Sequence, residues 1–223
     1  MSMQPGDRFT LKYDKLLFEC LVEAVTVLNG DLYPTTAYSQ RDSRWANETL
    51  GYSGQAGIPR LTIGSDGCAL CVTAMILSRL DQTITPKVLN AILQQRSGFT
   101  GANLVWRRVP DLFDPPAPYL LAYNGPLVRY KDGPLVWRNT AADMARVWEE
   151  LAKGPCPMEV DYYPGGTLQP HFVLALKRTA DDIEIFDPWD GARTGLLRRY
   201  GTTARPQLHR WIYGLRLLQI TGG

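Results

Sequence analysis

Hydrophobic and polar positions change their period near the middle of this chain. Within residues 68–80, Leu70, Val72, Met75, Ile76, Leu77 and Leu80 surround a helix axis rather than striping one side of it. A helix that is apolar nearly all round is a buried helix. Ser65, Asp66 and Gly67 stand directly before it and predict capping of its N-terminus. A second helix is predicted from Thr85 as cap and Pro86 at the first helical position, through about Gln95. Thr140 caps a third, "AADMARVWEELAKG", which stops at Gly154. Beyond Gly154 the runs "PMEVDYY", "HFVLALKR", "DIEIFDP", "GLLRRYG" and "WIYGLRLLQI" read as strands. The turn signals "PGG", "ADD" and "WDGA" separate them. Helices in the first half and consecutive strands in the second predict an α+β fold, with a largely antiparallel sheet in the C-terminal half.

The remaining segments carry weaker patterns. Residues 1–33 read as a preface in which "DRFTLKY" and "VEAVTVLNGD" alternate loosely, the second ending in an Asn-Gly turn signal. Two strands, or a strand and a short helix, both fit. Residues 38–67 are polar and Gly-rich, hence mostly loop. Residues 96–139 are rich in Pro, Gly and aromatic side chains and predict short strands with long connections. The expected organisation is an N-terminal extension over residues 1–35, packed on or docking to a main domain over residues 36–223.

Composition narrows the function classes. The protein has 223 residues, 45% of them apolar and 21% charged, with a formal net charge of +2. That balance gives no global electrostatic footprint for nucleic acid or a membrane surface. Arg107-Arg108 and Arg198-Arg199 are isolated basic pairs and read as solvated surface. The apolar stretch "LLFECLVEAVTVL" carries Glu19 and Glu23 and is too short to span a bilayer. It lacks the basic start and small-residue cleavage site of a signal peptide. The expectation is a cytoplasmic protein at synthesis, with later release by a non-signal route left open.

The candidate chemistry begins with cysteine. Cys20, Cys68, Cys71 and Cys156 are too sparse for a disulfide scaffold, and an intracellular protein keeps them reduced. "CALC" has the spacing of a redox pair but no strand before it. A zinc site would need two further ligands, and Cys20, Cys156, His171 and His209 are singletons. No metal and no cofactor is therefore expected. Cys68 falls at the first turn of the buried helix, where free N–H groups and the helix dipole favour a thiolate. Cys71 lies one turn deeper, where a thiol packs as a small hydrophobe. A structural role for Cys68 stays open on position alone.

A nucleophile needs a base. His171 opens the strand "HFVLALK", and Asp187 ends the strand "IEIFD". If the two form a hairpin through "TADD", they lie at the same end of it, and the carboxylate can orient the imidazole. Either residue also has an ordinary reading, a capping histidine and a turn-forming aspartate before Pro188. His209, in "PQLHRW", reads as a loop residue. For the developing oxyanion, the Cys68 N–H is one natural donor and a side-chain amide the usual second. Gln40, in "YSQRDSRW", precedes Cys68 by 28 residues in a loop-like polar segment and on its own means little. Asp66 would oppose a thiolate if it pointed into the site. Trp45, Trp106, Trp137 and Trp189 would line a cleft or pack in the core.

Taken together, "YSQRDSRW", "IGSDGCALCVTAMIL", "TPKVLNAIL", "HFVLAL" and "IEIFDPW", in that order, resemble the bacteriocin-processing-like cysteine peptidases, family thirty-nine in the peptidase classification and part of the papain-like clan. The likeness is greater to their stand-alone relatives, which lack a transporter, and covers residues 38–200. "GFTGANLVW" sits where such proteins carry a Gly-aromatic segment. The resemblance implies a papain-like fold, with Cys68 as nucleophile, His171 as general base, Asp187 as its orienting partner and Gln40 in the oxyanion hole. Cys71 departs from the small or hydroxyl residue expected there. The implied activity is hydrolysis of peptide bonds, on a peptide or on the peptides of peptidoglycan. A non-catalytic binding module on the same scaffold and a thiol oxidoreductase are the competing classes.

Overall fold

The computed structural model describes residues 8–11, 18–21, 36–55, 57–113, 120–128, 141–162, 169–202 and 206–221. Two short strands, β1 (Arg8–Leu11) and β2 (Phe18–Leu21), form an antiparallel pair. The first falls in "DRFTLKY" as expected, while "VEAVTVLNGD" lies outside the described residues. Next come α1 (Ile63–Asp66), α2 (Cys68–Leu77) and α3 (Pro86–Gln95). A minimal ribbon, β3 (Phe99–Thr100) with β4 (Asn103–Leu104), follows. The remaining elements are β5 (Leu120–Val128), α4 (Ala141–Lys153), β6 (Cys156–Asp161), β7 (Pro170–Arg178), β8 (Ile183–Asp187), β9 (Ala192–Gly195), α5 (Leu196–Tyr200) and β10 (Ile212–Thr221).

Strands β5–β10–β6–β7–β8–β9 form one six-stranded sheet in that order, with every neighbouring pair antiparallel. The fold is thus mixed α+β with an antiparallel sheet, most of it in the C-terminal half. Alternation along β7 builds two cores, because successive side chains leave a strand on opposite faces. Leu174 and Leu176 join α2 and α3 in one apolar cluster. Val173 and Ala175 join Val147 and Leu151 of α4, with Trp211 and Ile212, in the other. Helix α2 is buried at every position from Leu70 to Leu77, as its all-round apolar pattern demands. Thr85 caps α3 by accepting from the Val88 N–H at 3.3 Å. Among the described residues, no helix is long and apolar enough to cross a membrane.

Two local expectations are corrected. Ser65 and Asp66 do not cap α2. They belong to α1, where Thr62 and Ser65 form a reciprocal capping box. Gly67 joins the two helices and provides no side-chain cap. A side chain there is excluded by close approach, since a Cβ would meet the Ile63 carbonyl oxygen at 2.4 Å. Second, "GLLRRYG" is not a strand but β9's last residue followed by α5. The reason is Asp182, whose carboxylate accepts from the N–H groups of Leu197 at 2.9 Å and Arg198 at 3.3 Å. An anion at a helix N-terminus stabilises the helix, and Leu196 is buried by it.

Candidate functional site

The mouth of α2 faces the start of β7 and the end of β8, and the chemistry-bearing side chains meet there. His171 pairs in register with Val160 of β6 and is 6% exposed. Asp187 is the last residue of β8 and is fully buried. The β7–β8 hairpin brings them to the same end, with His171 Nε2 donating to Asp187 Oδ1 at 2.9 Å. With Nε2 so engaged, Nδ1 is the ring nitrogen left for Cys68, which stands close enough to the imidazole to help raise its pKa. Cys68 is half-buried and Cys71 completely buried, both as free thiols.

Asp187 is held by more than the histidine. Its Oδ1 also accepts from the Trp189 N–H at 2.9 Å. Its Oδ2 accepts from Arg199 Nε at 3.0 Å and from the Tyr200 hydroxyl at 2.6 Å. Burial alone would raise the carboxyl's pKa. The donors from His171, Tyr200 and Trp189 outweigh burial and hold it down to about 2. Burial alone would likewise strip the proton from His171. Asp187 and Cys68 outweigh that and raise the imidazole to about 9. The Tyr200 hydroxyl is pushed up by its burial and by the Asp187 charge, so it acts as a donor throughout the neutral range. Arg199 spans two carboxylates, with Nη2 on Asp190 at 2.7 Å.

Gln40 is 1% exposed, and its loop is pinned to the turn after β8. Its N–H donates to Pro188 O at 2.6 Å. Trp45 Nε1 donates to Ser39 O at 2.8 Å, and the Arg41 guanidinium lies 3.3 Å over the Trp189 ring. The Gln40 Nε2 donates to Gly64 O at 2.9 Å and, at 3.5 Å, to Ser65 O. Its Oε1 has no partner among the described residues. Gly64 O is the acceptor that a continuous helix would offer to the Cys68 N–H. Gln40 thus sits where α1 hands over to α2, with its donor turned toward that junction rather than standing free.

These residues line a cleft of about 780 Å³ that opens between α2 and the sheet. Gln40, Cys68 and His171 are all on its wall, and Asp187 stands behind the histidine. Asp66 also lines it, as an exposed residue whose charge faces water. Of the four tryptophans, Trp106 and Trp189 line the cleft, Trp45 is buried in the core, and Trp137 lies outside the described residues. His209 is in a 3₁₀ turn, Leu208–Arg210, away from the cleft wall.

No protein family, curated protein or solved structure matches this protein. The arrangement itself is a thiol, an imidazole and a buried carboxylate in series, beside a buried amide and a helix start. Such a series can raise a nucleophile, shuttle one proton and steady a developing negative charge. Among the described residues, no group of three or more His, Cys, Asp or Glu side chains is placed to hold a metal ion.

The sequence pattern does not single out Arg199 and Tyr200, whose run reads as a strand with solvated arginines. Nor does it single out Glu159 and Arg216, which form an ion pair at 2.8 Å on the cleft wall. It is α5, beginning at Leu196, that returns Arg199 and Tyr200 toward the preceding strands and onto Asp187.

Proposed function

We propose that this protein is a cysteine hydrolase of amide bonds, built on a papain-like scaffold formed by residues 36–223. The observation that carries the reading is the convergence of Cys68, His171 and Asp187, with the imidazole hydrogen-bonded to the buried carboxylate and lying beside Cys68 on the cleft wall. In the reaction, His171 takes the Cys68 proton and the sulfur attacks the substrate carbonyl carbon. The carbonyl π pair moves onto oxygen, where the Cys68 N–H and the Gln40 amide stabilise it. Gln40 would trade its long contact to Ser65 O for the oxyanion. The tetrahedral species collapses, the C–N bond breaks, and the leaving amine takes the proton from His171. Water, deprotonated by His171, then adds to the thioester and releases the acid and the Cys68 thiolate.

Asp187 enters as a fixed anion. Its low pKa keeps it ionised, so it stabilises the imidazolium without taking the proton. The substrates to test are peptides, with peptidoglycan stem and cross-bridge peptides among them as amides of the same chemistry. The experiment is hydrolysis of such a panel, read by mass spectrometry for new termini. Wild-type protein should produce them and Cys68→Ala should not. Cleavage by Cys68→Ala at the wild-type rate would overturn the assignment, and a silent wild type would favour the non-catalytic module.

A further inference from the structure

The cleft contains two arginines in comparable settings, one complete and one not. Arg199 bridges two carboxylates, Asp187 through Nε and Asp190 through Nη2. Among the described residues, Arg216 reaches one carboxylate. Its Nη2 donates to Glu159 at 2.8 Å, while its Nη1 is buried with no partner among the described residues. The pair is withdrawn from solvent, with side chains 13% and 5% exposed, yet both residues line the cleft.

Burying an ion pair in a sheet is costly, and an apolar pair of similar size would often serve stability as well or better. An unpaired buried guanidinium N–H adds to that cost. Glu159 is the cross-strand partner of Phe172, the residue directly after His171. The Arg216 guanidinium lies 5.1 Å over the Phe172 ring, which in turn packs against Trp106 at 5.3 Å. A planar cation is thus held by an aromatic face on the same wall as the imidazole. A guanidinium presents its donors in a fork that matches a carboxylate.

We propose that Arg216 forms a subsite for a carboxylate of the bound substrate. The group would complete at Arg216 the two-carboxylate arrangement that Arg199 already has, with Glu159 and Phe172 fixing the fork. This rests on the reading of the cleft as a peptide-binding cleft. The carboxylate comes either from an acidic residue within the peptide or from the peptide's own C-terminus, and the chemistry at Arg216 is the same for both.

Binding without turnover separates this subsite from the proposed hydrolysis. The Cys68→Ala protein is titrated calorimetrically with two matched libraries of short blocked peptides. One compares internal Glu with Gln, the other a free C-terminal carboxylate with its amide. In the library that carries the recognised source, the acid should bind about tenfold more tightly, the effect of one charge-assisted hydrogen bond. The preference should fall to parity in the double variant Glu159→Gln with Arg216→Gln, which leaves no orphaned carboxylate. Arg216→Lys should shrink it, since an ammonium lacks the rigid planar fork that holds one carboxylate while presenting a further N–H to a second. This variant decides the matter if the double variant does not fold. Equal affinity of acid and amide in both libraries, absence of binding by either, or a preference that survives in a folded variant would overturn the subsite. Failure of the hydrolysis reading shows instead in the wild-type cleavage assay, which does not depend on Arg216.

Discussion

The mouth of α2 and its interior differ by a single turn, and Cys68 and Cys71 mark the difference. The two thiols are identical in chemistry and belong to one helix. Cys71 is surrounded by Leu70, Val72 and the core between helix and sheet, and its thiol is pushed well up by burial, then by the neighbouring Cys68. Cys68 stands beside an imidazole on the wall of an open cleft. What separates them is not sequence motif but where the helix begins. Gly67 stops the α1 turn just before Cys68, and Gln40 engages the Gly64 carbonyl at that junction.

The comparison can be broken most forcefully by removing one thiol at a time. Cys68→Ala should lower kcat/KM for amide hydrolysis by at least about 10³-fold, as loss of a nucleophile does. Asp187→Asn should follow, with a loss of about 10²- to 10⁴-fold from a misoriented imidazole. It should also bring the His171 titration, followed by NMR, down from about 9. Gln40→Ala should cost about 10²-fold in kcat with KM little changed, the result expected if its donor serves the transition state as proposed. Smallest of all, Cys71→Ala should leave kcat/KM within a few-fold of wild type. Its measurable cost is stability, about 1 kcal/mol for a small cavity, read from urea unfolding.

The imidazole at the mouth of α2 also predicts a pH dependence that sets in below the one from the buried Cys71 thiol, whose raised pKa costs stability only above about 9. His171 is raised from an ordinary 6.5 to about 9 in the folded protein. Its stabilisation is therefore fully present below about 6.5 and lost as the pH rises through about 9. Asp187 is lowered from 3.8 to about 2, so its contribution is present above 3.8 and lost as the pH falls toward 2. Urea midpoints measured from pH 6 to 10 should fall across the alkaline part of that range in wild type. They should fall less in His171→Gln. The same profile in both proteins would separate the imidazole from any role in the folded state.

Much of this is readable in the sequence, and the unread parts share a cause. The all-round apolar run of α2, the Thr-Pro start of α3 and the alternation of β7 each state their environment locally. Cys68, His171 and Asp187 are legible because each ends or begins an element. Gln40 is not, since a glutamine in a polar loop has no local mark, and only the order of the motifs singles it out. Arg199 and Tyr200 are hidden because α5 is imposed by Asp182, on the far side of the β8–β9 hairpin. Glu159 and Arg216 are hidden because charges in an alternating strand read as its wet face, whereas here that face floors the cleft.

The central claim is that Cys68 alone among the thiols is a nucleophile and that His171 makes it one. Alkylation by iodoacetamide at pH 7, under limiting reagent and mapped by peptide mass spectrometry, tests this directly. The account predicts that Cys68 is modified first, that Cys71 and Cys156 stay unmodified in the folded protein, and that the Cys68 rate drops at least about tenfold in His171→Ala. Equal labelling of Cys68 in wild type and His171→Ala, or labelling of Cys71 alongside it, would contradict the account.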